Sequence, residues 1–218
     1  MGIRLLIQSI IISLFVLLNT NSISSQNDNK IIFQSGSFSV AGYLNLPEGE
    51  GPHPVVIFVH GDGPANHTSW GYYIPIMKRM LRAGYATFSW DKPGSGESTG
   101  QIDQSQLFKI RSQIVIDAIS ALKKRPELNH SQMGLWGSSQ AGYIIPLVLE
   151  KSTDVNFLIA VSCPGEASVD QWAYLIKSQA LCAGLPASEA ELLDKCISGA
   201  VKARNYKRYL QYKKTISK

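Results

Sequence analysis

Histidine is scarce in this chain and confined to its first part: the four are His53, His60, His67 and His130 among 218 residues. Any chemistry here that needs an imidazole must draw it from those positions or from another molecule. Cysteine is nearly as sparse. Cys163, Cys182 and Cys196 form an odd set with no metal-ligand spacing, which excludes a disulfide-dense scaffold and a zinc module. Cys182 and Cys196 fall in neighbouring helical patterns and could pair, while Cys163 reads as a buried, inert thiol. No internal repeat or low-complexity tract occurs, which excludes solenoids and arrays. Acidic residues are absent from positions 202–218, where seven basic ones gather; residues 1–201 carry 14 basic and 16 acidic residues, so the net charge of +5 belongs to the tail. A nucleic-acid-binding body is therefore not expected, and the basic tail reads as a solvated helix face.

Long apolar runs are limited to one. Leu5 to Leu18 is interrupted only by Gln8, Ser9 and Ser13, follows the short positive Met1-Gly2-Ile3-Arg4, and precedes small polar residues. This is the pattern of a secretory signal peptide over residues 1–25, with cleavage near Ser24 or Ser25 and a secreted or periplasmic product. An uncleaved membrane anchor is the alternative. No cysteine near the cleavage region supports a lipoprotein, and Leu6 occupies the position where myristoylation requires Ser or Thr.

What is present points to chemistry. In Trp136-Gly137-Ser138-Ser139-Gln140-Ala141-Gly142 a short apolar run leads in and a helical pattern follows. Such a segment reads as a nucleophile elbow, a sharp strand-to-helix turn that lifts a serine hydroxyl from the sheet. The residues two before and two after the serine crowd together, so both must be small. Gly137 and Ala141 meet that requirement around Ser139, whereas framing the motif on Ser138 would force Trp136 into a crowded position. A second strand-like run, Pro54 to Val59, ends in His60-Gly61-Asp62-Gly63-Pro64. Glycines there let the backbone turn and aim N–H groups at a developing oxyanion, so Asp62 N–H and Gln140 N–H are the candidate oxyanion hole. A third run, Tyr85 to Trp90, leads into Asp91-Lys92-Pro93-Gly94-Ser95-Gly96-Glu97-Ser98.

Those three motifs, in that order, resemble the α/β-hydrolase superfamily, particularly its esterase, dienelactone-hydrolase-like and prolyl-oligopeptidase-like branches. The resemblance runs from about Ile31 to about Cys163. It implies an α/β fold with a mainly parallel sheet and flanking helices, a serine hydrolase acting on an ester or related acyl bond, and Ser139 as nucleophile. It implies supporting roles for His60, Gly61, Gly63, Gly137, Ala141 and Gly142, and a small-molecule ester or peptide-like substrate with no metal and no cofactor. Pro93 stands where the family commonly has Arg, so the ion pair that Arg makes is lost.

Serine needs a base oriented by an acid, and in this superfamily both follow the serine in the chain. No histidine follows Ser139. His53 and His130 precede their expected strands and so belong to the edge of the sheet opposite the site. His60 and His67 follow strand 3 on the correct side; His60 reads as a loop-holding residue and His67 as a pocket-lining one. Glu166 and Asp170 are the candidate acids after strand 6. The expectation is a hydrolase core lacking the last two strands, inactive or weak, with residues 26–163 as core and 164–218 as a helical, cap-like segment. The alternatives are a secreted pseudoenzyme that binds an ester-like or peptide ligand, and a base supplied by a second chain.

Among the elements, Ile31–Ser35 and Ser37–Leu46 read as an antiparallel hairpin at the sheet edge, and Tyr72–Ala83 and Gln104–Lys124 as helices. Met133–Trp136 reads as the strand into the elbow, and Ser139–Leu149 as a helix kinked at Pro146. Val155–Ser162 reads as the next strand. Trp172–Ala183, Pro186–Ala200 and Lys202–Lys214 read as three final helices.

Overall fold

A computed structural model describes residues 29–165 and 168–202. The signal-peptide reading of residues 1–25, the candidate acid Glu166 and nearly all of the expected helix over Lys202–Lys214 lie outside those residues.

The sheet has six strands: β1 (Lys30–Ser35), β2 (Phe38–Asn45), β3 (His53–Val59), β4 (Ala86–Trp90), β5 (Leu128–Ser138) and β6 (Phe157–Val161), in the spatial order β1-β2-β4-β3-β5-β6. β1 and β2 form the expected hairpin, and β2 runs antiparallel to β4. β4, β3, β5 and β6 are mutually parallel. The β-branched, apolar character of β3 follows from its place between two neighbours with both faces covered. Val55, Ile57 and Val59 enter one core with helices α2 (Leu107–Leu122) and α3 (Ala141–Leu149), while Val56 and Phe58 enter a second core under α1 (Ile74–Arg82). The period of two along the strand thus feeds two helical layers.

Each helix shows why its residues form it. α1 places Met77 in the core and stops at Gly84, whose φ of +84° is a left-handed cap and whose N–H donates to Leu81 O at 3.0 Å. α2 turns Ile114, Ala118, Ile119 and Leu122 inward, with Arg111 on the same buried face. Two further helices, α4 (Ser168–Cys182) and α5 (Ala187–Lys202), pack through Ala173, Ala180, Ala190 and Ile197 and are clamped by the Lys177–Glu191 ion pair. They join the hydrolase core where Tyr143 donates to Gln171 at 2.8 Å. All three cysteines are free thiols, so the possible Cys182–Cys196 pairing is not made.

The structure corrects the expected strand into the elbow. β5 starts at Leu128, not Met133, because His53 pairs with Leu128 before an irregularity leads into the Val55–Met133 register. The polar stretch Asn129-His130-Ser131-Gln132 hides that start from hydrophobic periodicity. His130 therefore lies inside β5 near its beginning and donates to or accepts from no group near the elbow; its Nε2 meets Arg125 O at 2.9 Å.

Candidate active site

Ser139 sits between β5 and α3 with φ of +53°. That left-handed backbone is uncommon for a residue with a side chain, and it marks stored strain at a turn that the surroundings enforce. The crowding inferred from sequence is explicit. A Cβ added at Gly137 would lie 2.7 Å from Ala141 Cβ and 2.7 Å from Ile145 Cδ1, closer than carbon atoms can approach. One added at Gly142 would lie 2.8 Å from Cys163 Cβ. Ser139 N–H donates to Val161 O at 3.1 Å, fixing the turn to the end of β6.

The His60–Pro64 loop meets this turn. A Cβ on Gly61 would stand 3.6 Å from Ser139 Cβ, an ordinary contact, and 3.3 Å from Ser138 O, a tight one, so a glycine here leaves the two loops room to lie side by side. The two loops are also latched: Gln140 Nε2 donates to Asp62 Oδ1 at 2.9 Å. The backbone N–H groups of Asp62 and Gln140 donate to no protein acceptor among the described residues. Structure thus brings Ser139, Gly61, Asp62 and Gln140 together, with Gly63 completing the loop at φ of +70°.

His60 is part of the foundation. Its ring is 1% exposed, with Nε2 2.6 Å from Trp90 O and Nδ1 3.1 Å from the Tyr73 hydroxyl. Burial, with Lys92 and Arg111 nearby, pushes its pKa down to about 3, so it stays neutral and both nitrogens are occupied. It is not a free base. Its ring stacks on Tyr73 at 5.4 Å and meets Trp90 edge-on at 5.3 Å, and Tyr73 in turn packs on Phe58 and Trp136.

His67 is held by Asp91. The Asp91 carboxylate accepts from His67 N–H at 2.7 Å and faces Nδ1 at 2.9 Å, while Glu97 N–H donates to its other oxygen at 2.9 Å. Burial alone would raise the Asp91 pKa; these hydrogen bonds outweigh it and hold the group below the usual carboxylate range. The ring of His67 stacks on Tyr43 at 3.7 Å. Asp91 requires its glycine neighbour too, since a Cβ at Gly96 would fall 2.1 Å from Asp91 Oδ2. Of the acids considered after strand 6, Asp170 lies in the first turn of α4.

Two buried cations behind the His60–Pro64 loop carry no mark in the sequence pattern that singles out the elbow. Arg111, 5% exposed, donates to His60 O and to Gln140 Oε1. Lys92, 6% exposed, donates to Gly61 O at 2.7 Å and to Gly63 O. Burial lowers the Arg111 pKa to about 10 and the Lys92 pKa to about 7. A signal for Arg111 was present: it falls between Leu107 and Ile114 on the apolar stripe of its helix, where a charge must be paired. Lys92 had none, because loop lysines are ordinarily solvated.

Comparison with known proteins bears on the family and the fold. The chain is 29% identical over 115 residues to an uncharacterized 31.7 kDa protein of Escherichia coli encoded in the traX-finO intergenic region, a match covering 52% of this chain and 38% of that one. It is 25% identical over 130 residues to the 2,6-dihydropseudooxynicotine hydrolase of Paenarthrobacter nicotinovorans, covering 60% of this chain and 33% of the relative. The chain thus spans well under half the length of these curated relatives. A Pyrococcus furiosus esterase superimposes with a TM-score of 0.56 at 20% identity, over 76% of this chain and 58% of the esterase, which shows a common fold. Residues 50–198, more than half of the chain, match the family described as serine aminopeptidase, S33. The chain belongs to that family of α/β-hydrolases.

Proposed function

We propose that this chain is a serine hydrolase that acts on an ester or related acyl bond of a small-molecule or peptide-like substrate. Ser139 is the nucleophile, and the backbone N–H groups of Asp62 and Gln140 receive the oxyanion of the tetrahedral intermediate. One observation carries the reading: a serine with φ of +53° stands between a strand and a helix, and the neighbouring Gln140 is latched to Asp62 of the His60–Pro64 loop. The family supports hydrolysis as the reaction class. Preorganised donors at such a site lower the barrier by about 3 to 4 kcal/mol each.

Activation of the serine is the weak point. His60 is bonded at both ring nitrogens, His67 is held by Asp91 against Tyr43, and His53 and His130 lie toward the start of their strands. Turnover that draws only on these four histidines is therefore expected to be slow, with residual catalysis of roughly 10³ to 10⁴ over water from oxyanion stabilisation and binding. The test pairs purified protein with an activated short-chain ester and a fluorophosphonate. The expected result is a mass adduct on Ser139 that Ser139→Ala abolishes, with weak ester turnover. Adducts on other residues only would remove Ser139 as nucleophile, and tight ligand binding without any adduct would favour the pseudoenzyme. Export follows from the pattern of residues 1–25, and cell fractionation that finds the intact chain in the cytoplasm would contradict it.

A further inference from the structure

The Gly61–Asp62 peptide is trans, so its C=O and N–H lie in one rigid plane and point in opposite directions. Whatever fixes the carbonyl therefore fixes the direction of the N–H. In this structure the Gly61 carbonyl accepts from Lys92 Nζ at 2.7 Å, and the same ammonium donates to the Gly63 carbonyl two residues on. The Gly63 carbonyl precedes Pro64, which has no N–H, so this stretch cannot settle into a ladder of backbone bonds. Lys92 is itself fixed from both sides: its N–H donates to Ala65 O at 2.9 Å and its carbonyl accepts from Ser95 N–H at 2.8 Å. On the preceding peptide, Arg111 holds the His60 carbonyl and reaches Gln140.

The geometry points to Lys92 as a positioning residue that sets the direction of the Asp62 N–H by gripping the carbonyl on the far side of the same peptide. This rests on the reading of Asp62 N–H as an oxyanion donor. Without the ammonium, the loop between two glycines, Gly61 and Gly63, keeps the Gln140–Asp62 side-chain latch but loses the donor that holds the Gly61 carbonyl, and a rotated peptide presents oxygen where nitrogen is needed. Lys92 touches no reacting atom in this scheme.

Its charge state adds a readout. Burial, together with Arg111 and against the pull of Asp62, brings Lys92 to about 7. The groups facing it are Arg111 from α2, Asp62 from the loop after β3, and His60 at the end of β3; His60 is held neutral and Arg111 charged around that pH. Losing the proton leaves an amine with weaker hydrogen bonds to both carbonyls. The grip on the loop therefore slackens as pH rises through about 7.

The experiment uses the full chain, Lys92→Met and Lys92→Arg, each assayed for the rate of fluorophosphonate adduct formation on Ser139 between pH 5.5 and 9, with a crystal structure of Lys92→Met. At low pH the Met variant is expected to react roughly 10²-fold more slowly, as for loss of one oxyanion donor. The Arg variant is expected to recover most of the rate, and the ratio of native to Met rates to shrink as pH rises through 7. A merely structural lysine would give a ratio independent of pH. In the crystal the Gly61–Asp62 peptide of Lys92→Met should be rotated; an unmoved peptide, or a Met variant as fast as the native chain, overturns the proposal. A native chain that forms no adduct on Ser139 strikes the nucleophile reading instead, while the variant's peptide still decides the role of Lys92. If Lys92→Met does not fold, Lys92→Gln makes the same comparison, since its amide carries no charge and its weaker hydrogen bonds do not change with pH.

Discussion

Ser139 and Gly137 illustrate what a single residue settles here. The elbow works because no atom sits where a Cβ on Gly137 would be, and the two nearest atoms, on Ala141 and Ile145, are both in the helix that follows. Gly137→Ala is therefore expected to push α3 away from the end of β5. Overpacking of this kind costs about 1 to 3 kcal/mol. The check is the urea midpoint together with the Ser139 adduct rate: both should fall, and an unchanged midpoint would mean that the turn can expand freely. Asp91 makes the opposite kind of point. It reads in sequence as the first residue of a solvated glycine loop, yet it is 2% exposed and ties three backbone segments through His67, Glu97 and Tyr43. Its partners lie 24 residues before it, six after it and 48 before it, separations at which local pattern carries no information.

Among the elements, α3 carries a visible defect. Pro146 lies inside a nine-residue helix and cannot donate to the Gly142 carbonyl one turn earlier. Its own side chain is exposed, while Ile144, Ile145 and Val148 supply the buried face. Pro146→Ala should thus restore a backbone hydrogen bond without removing core packing, and stabilise the fold by about 1 to 3 kcal/mol. Chemical denaturation measures this directly; a loss of stability would show instead that the proline's restriction of the unfolded chain outweighs the missing bond. The other elements were legible to different degrees. α1, α2, β2, β3 and β4 follow from apolar periodicity because each has a face or both faces in a core. β5 was legible only in its apolar half, since pairing of its first residues depends on the backbone of β3, and backbone pairing leaves no mark on side-chain polarity.

For the molecule as a whole, the buried titratable groups set how stability depends on pH. His60 titrates near its ordinary value of 6.5 when unfolded and at about 3 when folded. Between those values the unfolded chain binds a proton that the folded chain does not, so stability falls as pH drops from about 6.5 toward 3. Lys92 acts in the same direction in a higher window: its folded value of about 7 lies below the unfolded 10.5, so folding gains stability as pH rises across that interval. Urea unfolding followed from pH 7 to pH 4 should show the midpoint decline, and proton NMR should show the His60 ring still neutral at pH 4.5. An imidazole at that position titrating near 6.5 would mean that the pocket around Trp90 and Tyr73 admits water. At the same scale, the sheet ends at β6 among the described residues, with Leu158 46% exposed on it. α4 and α5 leave Trp172, Tyr174 and Leu175 similarly exposed.

The sequence alone determined the order of strands and helices, the hairpin at one edge, and the identity of the elbow serine, because those depend on periodicity and on side-chain size at neighbouring positions. Gly137 and Ala141 had to be small wherever the chain went. Tertiary structure alone decided which polar groups are buried and what they hold. That His60 is bonded at both nitrogens, that Asp91 anchors His67, and that Lys92 and Arg111 grip consecutive carbonyls behind Asp62 arise from strand ends β3 and β4 lying side by side, with Tyr73 and Arg111 brought to them by the helices. Burial then turns ordinary polar residues into fixed supports, since a buried charge or imidazole must find partners or give up its proton. No one-dimensional pattern encodes which residues will meet at those ends.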